Sequence, residues 1–72
     1  MTPLTNIAQR QWLKDLRTAR SLYQRQIAAH ASISAQQYSA IERGLRNPST
    51  AVAKKIANLL GFSWTRFYDD IE

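Results

Sequence analysis

Residues 24–46 read QRQIAAHASISAQQYSAIERGLR, and this stretch decides the fold. Its first half sets Ile27, Ala28 and Ala31 on one side of a helix that starts near Gln24. Its second half sets Tyr38, Ile41 and Leu45 along the apolar edge of another, starting near Ser34. At about 100° per residue each set forms a stripe, so two short amphipathic helices are expected with a tight turn at residues 31–33. Ser34 stands where a hydroxyl caps the second helix, and the small residues Ala28, Ala29 and Ala31 let a neighbouring helix pack close. The opposite edge of that second helix carries Gln36, Ser39, Ala40 and Arg43. Gln pairs bidentately with adenine, Arg with guanine, and small side chains meet a thymine methyl, so the edge suits the reading of base edges in duplex DNA. An ordinary solvated helix face would carry Gln and Ser equally well.

Working outward, residues 1–6 hold Pro3 and two Thr without periodicity and read as a flexible leader, leaving residues 7–72 as a single domain. Residues 7–20 turn helical, with Leu13, Leu16 and Arg20 near one line, Trp12 on its flank, and Arg10 and Lys14 as a basic i, i+4 pair on another face. Arg17 lies beside the apolar stripe, where a charge needs a partner. Glu42 borders the apolar edge of the base-reading helix in the same way. The expectation is an ion pair between Arg17 and Glu42 that clamps the first helix to the third, against the alternative of two independent solvated charges.

Gly44 falls where a left-handed residue closes a helix, and residues 46–48, Arg-Asn-Pro, continue as a loop. Ser49 or Thr50 can cap a fourth helix over residues 51–60, with Val52, Ile56, Leu59 and Leu60 inward, Lys54 and Lys55 outward, and Gly61 as its stop. Ser63 is then placed to cap a last short helix carrying Trp64, Phe67, Tyr68 and Ile71. That is more large apolar surface than a terminal helix needs to cover a small core. Trp64, Phe67 and Ile71 are therefore candidate contacts with a second copy of the chain, the alternative being that all of them are core.

Composition narrows the function classes. A chain of 72 residues has room for one core and little else. Without Cys it has no disulfide, thiolate ligand or thiol nucleophile, in keeping with a reducing cytoplasm. His30 is the single histidine and has no second ligand at metal spacing, so no metal and no cofactor are expected. No apolar run approaches the ~20 residues of a membrane span. The absence of a catalytic constellation or a glycine-rich phosphate loop argues against an enzyme. Charge is the stronger signal. Ten Lys and Arg face five Asp and Glu for a net +5, and Asp69, Asp70 and Glu72 crowd the last four residues. Residues 1–68 thus set ten basic residues against Asp15 and Glu42 alone, a field that attracts a polyanion in a salt-sensitive way. The basic residues are scattered over several segments, which favours nucleic acid over an anionic membrane surface.

Taken together, Gln24-x-x-Ile27-Ala28, Ile33-Ser34, Tyr38-Ser39-x-Ile41-Glu42-Arg43-Gly44, Arg46-Asn47-Pro48-Ser49, Ile56-Ala57 and Leu60-Gly61 form an ordered series. It resembles the Cro/cI-type helix-turn-helix domain, also called XRE or lambda-repressor-like, over about residues 11–68. The resemblance implies an all-α fold of five helices, with the second and third as the DNA-binding pair and the third in the major groove. It implies base-reading roles for Ala35, Gln36 and Ala40, with Gln37 and Ser39 at the margins. Gln24 matches the Gln that contacts a phosphate and its base-reading neighbour, and Arg43 and Arg46 match the loop that meets the sugar-phosphate backbone. Tyr23 and Arg25, flanking Gln24, complete the expected backbone contacts. Arg17 with Glu42 matches an internal ion pair found in several phage repressors.

Tyr23 departs from the family's usual Thr or Ser cap, Ser32 stands where the turn commonly has Gly, and two of the three main base-reading positions are Ala. The expected function is a sequence-specific transcriptional regulator of bacterial or phage type, a repressor bound to double-stranded operator DNA as a homodimer in the bacterial cytosol. An antitoxin or partner-binding adaptor on the same fold is the alternative, its aromatic C-terminal helix engaging another protein.

Overall fold

The computed structural model describes residues 9–69. Five helices follow one another there: α1 (Gln11–Ala19), α2 (Gln24–Ala31), α3 (Ala35–Glu42), α4 (Thr50–Leu60) and α5 (Arg66–Asp69). The fold is all-α, as the resemblance implies, and the leader at residues 1–6 lies outside the described residues.

The turns between helices are closed by local chemistry that the sequence carries. Ser34 Oγ accepts the Gln37 backbone N–H at 3.0 Å while Gln37 Oε1 accepts the Ser34 N–H at 3.0 Å, a reciprocal cap that satisfies donors the helix leaves orphaned. Ser49 Oγ likewise accepts from Val52 N at the start of α4. At α2 the cap is half of this arrangement, Gln26 Oε1 accepting from Tyr23 N at 2.7 Å. Helix ends use left-handed residues. Gly44 and Gly61 have φ of 80° and 79°, and beyond them Leu45 N reaches back to Ala40 O and Phe62 N to Ala57 O. Ser32, in the position where the family favours Gly, adopts the same conformation at φ 61° and ψ 39°. A side chain there stores backbone strain that glycine would not.

Packing is built on α2, which lies against both α3 and α4. Ala28 and Ala31 on α2 and Ala53 on α4 are buried, and their small volume brings the axes close. Around them Leu13, Ile27, Tyr38, Ile56, Leu60 and Phe67 are fully enclosed. Each such side chain contributes about 1.5–3 kcal/mol of transfer free energy relative to exposure. Trp12, Phe62 and Phe67 stack edge-on and tilted with centroids 5.1–5.6 Å apart, tying α1 to the C-terminal segment.

Four expectations change. The first helix begins at Gln11, with Arg10 as its N-cap residue, so Arg10 is neither helical nor paired with Lys14 on a solvent face. It is 3% exposed, because its guanidinium finds backbone carbonyls inside the fold. Leu45 is 52% exposed, since the left-handed turn at Gly44 ends the helical register before Leu45 could join the stripe. Phe67 is fully buried against Trp12 and Phe62, which removes it from any contact with a second copy. Ser63 bonds the Thr65 hydroxyl through its side chain, and its carbonyl, rather than its Oγ, accepts from Arg66 N. Trp64 is half-buried, with the Lys54 ammonium 5.2 Å from its ring centre, and Ile71 lies outside the described residues.

Candidate nucleic-acid interface

Helix α3 has two faces of opposite character. Tyr38, Ile41 and Glu42 are buried on its inner face, and Ala35, Gln36 and Gln37 stand exposed with Arg43 following at the C-cap. Ser39 and Ala40 are half-buried at the margins. The helix is short and firmly capped, so the position of its outer side chains is set by what lies beneath.

Beneath it is a charged network. Arg17 Nε donates to Glu42 Oε2 at 2.8 Å and Arg17 Nη2 to Glu42 Oε1 at 3.1 Å, a two-pronged pairing of a fork-shaped donor with a carboxylate. Gln24 Nε2 donates to Oε1 at 3.0 Å and the Tyr38 hydroxyl to Oε2 at 2.8 Å. Arg17 Nη1 meanwhile donates to Leu22 O at 2.9 Å, across the α1–α2 turn. The side chains of Arg17 and Glu42 are 12% and 6% exposed, so this is not a solvated surface pair. Burial pushes the Glu42 carboxyl up, but the hydrogen bonds from Arg17, Gln24 and Tyr38 outweigh it and hold the group below the ordinary carboxylate range. Burial, then the hydrogen bond to Glu42 and the charge of that carboxylate, push the Tyr38 hydroxyl well above its ordinary value of 10.0. Both groups are held in the states the network needs: Glu42 ionised, Tyr38 neutral and donating.

Two of the expected site residues also carry hydrogen bonds within the fold. Gln24 donates one amide N–H to Glu42, a bond that the resemblance does not include, and its second N–H and Oε1 are not used by that bond. Gln37 uses its amide oxygen on the Ser34 cap, which gives it a structural part in closing the start of α3. Gln36 and Ala35 keep the outward placement expected of them.

On either side of α3 the surface falls away into a depression. One, of about 300 Å³, lies toward α1 and is lined by Lys14, Gln24, Ser39 and Arg43 among others. The other, of about 360 Å³, lies toward α4 and is lined by Gln37, Arg46, Asn47 and Ser49 with the apolar Ile33, Ile41 and Val52. Each flank of the helix thus carries cationic side chains. At the opening of α2 the Arg25 guanidinium sits 4.7 Å from the centre of the exposed Tyr23 ring, a cation–π pair that holds both at the surface.

Residues 13–67 match the family described as helix-turn-helix. The chain belongs to this helix-turn-helix family, of XRE type. Its members are DNA-binding transcription regulators. A relative from Bacillus subtilis (strain 168), the uncharacterized HTH-type transcriptional regulator YqaF, is 44% identical over 62 residues, covering 86% of this chain and 82% of its own length. No solved structure matches the chain. In helix-turn-helix terms, α2 and α3 are the paired helices, and the left-handed Ser32 between them is the turn. Two residues near this unit stand where their basic i, i+4 spacing does not place them: Lys14, which lines the depression beside α3, and Arg10, which holds the segment that follows it. A lysine on a polar helix face carries no signal of its own. Only the packing of α1 beside α3 brings it near the outer edge of that helix.

Proposed function

We propose that the protein is a sequence-specific transcriptional regulator that lays α3 in the major groove of an operator, acting as a repressor in a bacterial or phage setting. The observation that carries this reading is the outer face of α3. Gln36 stands exposed there with Ala35 and Ala40 beside it, on a ridge flanked by Lys14 and Arg43 on one side and Arg46 on the other. A helix is about the right width for the major groove, and cations on both flanks meet the two phosphate strands that border it. Phosphate contacts then supply affinity and register, while Gln36 and the alanine methyls select bases.

A homodimer on an inverted repeat is the expected state on DNA, with half-sites about one helical turn apart. Selection from a pool of random duplexes, followed by sequencing, tests the whole proposal. Enrichment of an inverted repeat, with affinity falling steeply as salt rises, is the expected result. A pool that stays random, or binding that ignores ionic strength, overturns it. Capture of one tight protein partner without DNA preference would instead favour the adaptor or antitoxin reading.

A further inference from the structure

Arg10 is the most connected side chain outside the α3 network, and nothing in the DNA-reading role described above uses it. Its Nη1 donates to Ile41 O at 2.6 Å and to Arg46 O at 3.1 Å. Its Nη2 donates to Asn47 Oδ1 at 2.5 Å and to Phe67 O at 3.4 Å, and its backbone N donates to Glu42 O at 2.9 Å. The guanidinium also lies 5.5 Å from the centre of the Phe67 ring. One side chain therefore gathers the last turn of α3, the loop at residues 43–47 and the body of α5. A cation placed there also meets the negative end of the α3 dipole.

That loop carries Arg43 and Arg46, both exposed. The backbone N–H groups of residues 43–45 return to Ser39, Ile41 and Ala40 of α3, and Arg43 Nε donates to Ser39 O, so α3 itself holds the first half of the loop, and Arg10 reaches the second half through Arg46 O and Asn47 Oδ1. Arg46 is held through its carbonyl, so its side chain leaves the surface from an anchored point. We infer that Arg10 is a positioning residue for the second half of the loop after α3, presetting Arg46 for a phosphate of a bound duplex. The inference rests on the proposed DNA-reading function. Pre-organisation of this kind raises affinity because ordering the loop no longer opposes binding. It acts on phosphate contacts and leaves base selection by Gln36 alone.

The test is duplex binding by fluorescence anisotropy over a salt series, for the wild type, Arg10→Met and Asn47→Ala. Asn47→Ala removes one anchor and keeps the buried guanidinium, so it serves where Arg10→Met fails to fold, as judged by circular dichroism. The folded variants should bind selected and random duplexes more weakly by the same factor, about tenfold, with a log–log salt slope shallower by about one. Arg10→Lys, which keeps the charge without the fork, should recover only part of the loss. In an Arg46→Ala background Asn47→Ala should add little, because the contact it supports is already gone. Wild-type affinity and slope in folded Asn47→Ala, or full additivity with Arg46→Ala, overturns the inference while leaving the proposed function intact. A wild type that ignores duplex DNA at low salt overturns the function itself, and the inference with it.

Discussion

The two faces of α3 handle polar side chains in opposite ways. On the inner face Glu42 accepts four hydrogen bonds from three side chains, and the carboxylate is sequestered with its donors. On the outer face Gln36 stands exposed one turn of helix away from Ala40, with no part in that network. Under the proposed function, the difference separates stability from recognition within a single eight-residue helix. Buried polar groups that satisfy one another fix the helix in place. Exposed ones in a fixed position retain their hydrogen-bonding capacity for a ligand.

The contrast is broken most directly at Glu42. Replacing it by Gln leaves Arg17 sequestered without its counter-charge, and a loss of about 2–4 kcal/mol is expected. In a domain of this size that corresponds to a fall in melting temperature of more than about 10 °C. A shift no larger than that of an exposed control substitution would mean the network is incidental. The same network sets a pH window. A carboxyl held below its ordinary value stabilises the fold above that value, and the stabilisation is lost as pH falls through the lowered folded pKa. A hydroxyl held above its ordinary value stabilises the fold below pH 10.0 and is lost as pH rises toward its raised folded pKa. Stability should therefore fall at both extremes, and Tyr38→Phe should flatten the alkaline limb in a thermal-melt series.

Gln36→Ala should do the reverse of Glu42→Gln. Melting should move by no more than about 0.5 kcal/mol equivalent. Discrimination between the selected operator and random DNA should fall by about 1–3 kcal/mol, with non-specific binding unchanged. Equal loss on both duplexes would move base reading elsewhere on the surface. A smaller effect is expected at the cap: Ser34→Ala should destabilise by about 1 kcal/mol in urea titration, through the lost hydrogen bond to Gln37 N. The smallest concerns the turn. Ser32→Gly removes the left-handed strain and should raise the urea midpoint by about 0.5–1 kcal/mol equivalent, and a lowered midpoint would show that the Ser side chain stabilises the turn.

How much of this was legible depended on how local the determinant was. The stripe of Ile27, Ala28 and Ala31, the caps at Ser34 and Ser49, and the stops at Gly44 and Gly61 are rules of a few residues' range, and each is present where the sequence places it. The pairing of Arg17 with Glu42 spans 25 positions yet was visible, because an arginine beside an apolar stripe demands a partner and acids are scarce. Leu45 and Phe67 were misplaced for the same kind of reason. The left-handed turn at Gly44 takes Leu45 off the α3 stripe, and periodicity alone does not say which aromatic of the last helix points to the core.

The amino-acid order by itself settled five helical segments, the cap of α3, the cap and stop of α4, the turn that closes α3, the polar edge of α3 and the demand for a buried ion pair, since all follow from spacing and side-chain type. It could not show that Arg10 turns inward. The carbonyls and amide oxygen that hold it belong to residues 31 to 57 positions away, and nothing brings them to one point until α1, α3 and α5 have packed together. The tertiary fold likewise decided that Lys14 stands beside α3 and that Gln24 turns to Glu42. A solvated side chain and a buried one can look alike in sequence, and only assembled neighbours supply the desolvation and the partners that tell them apart.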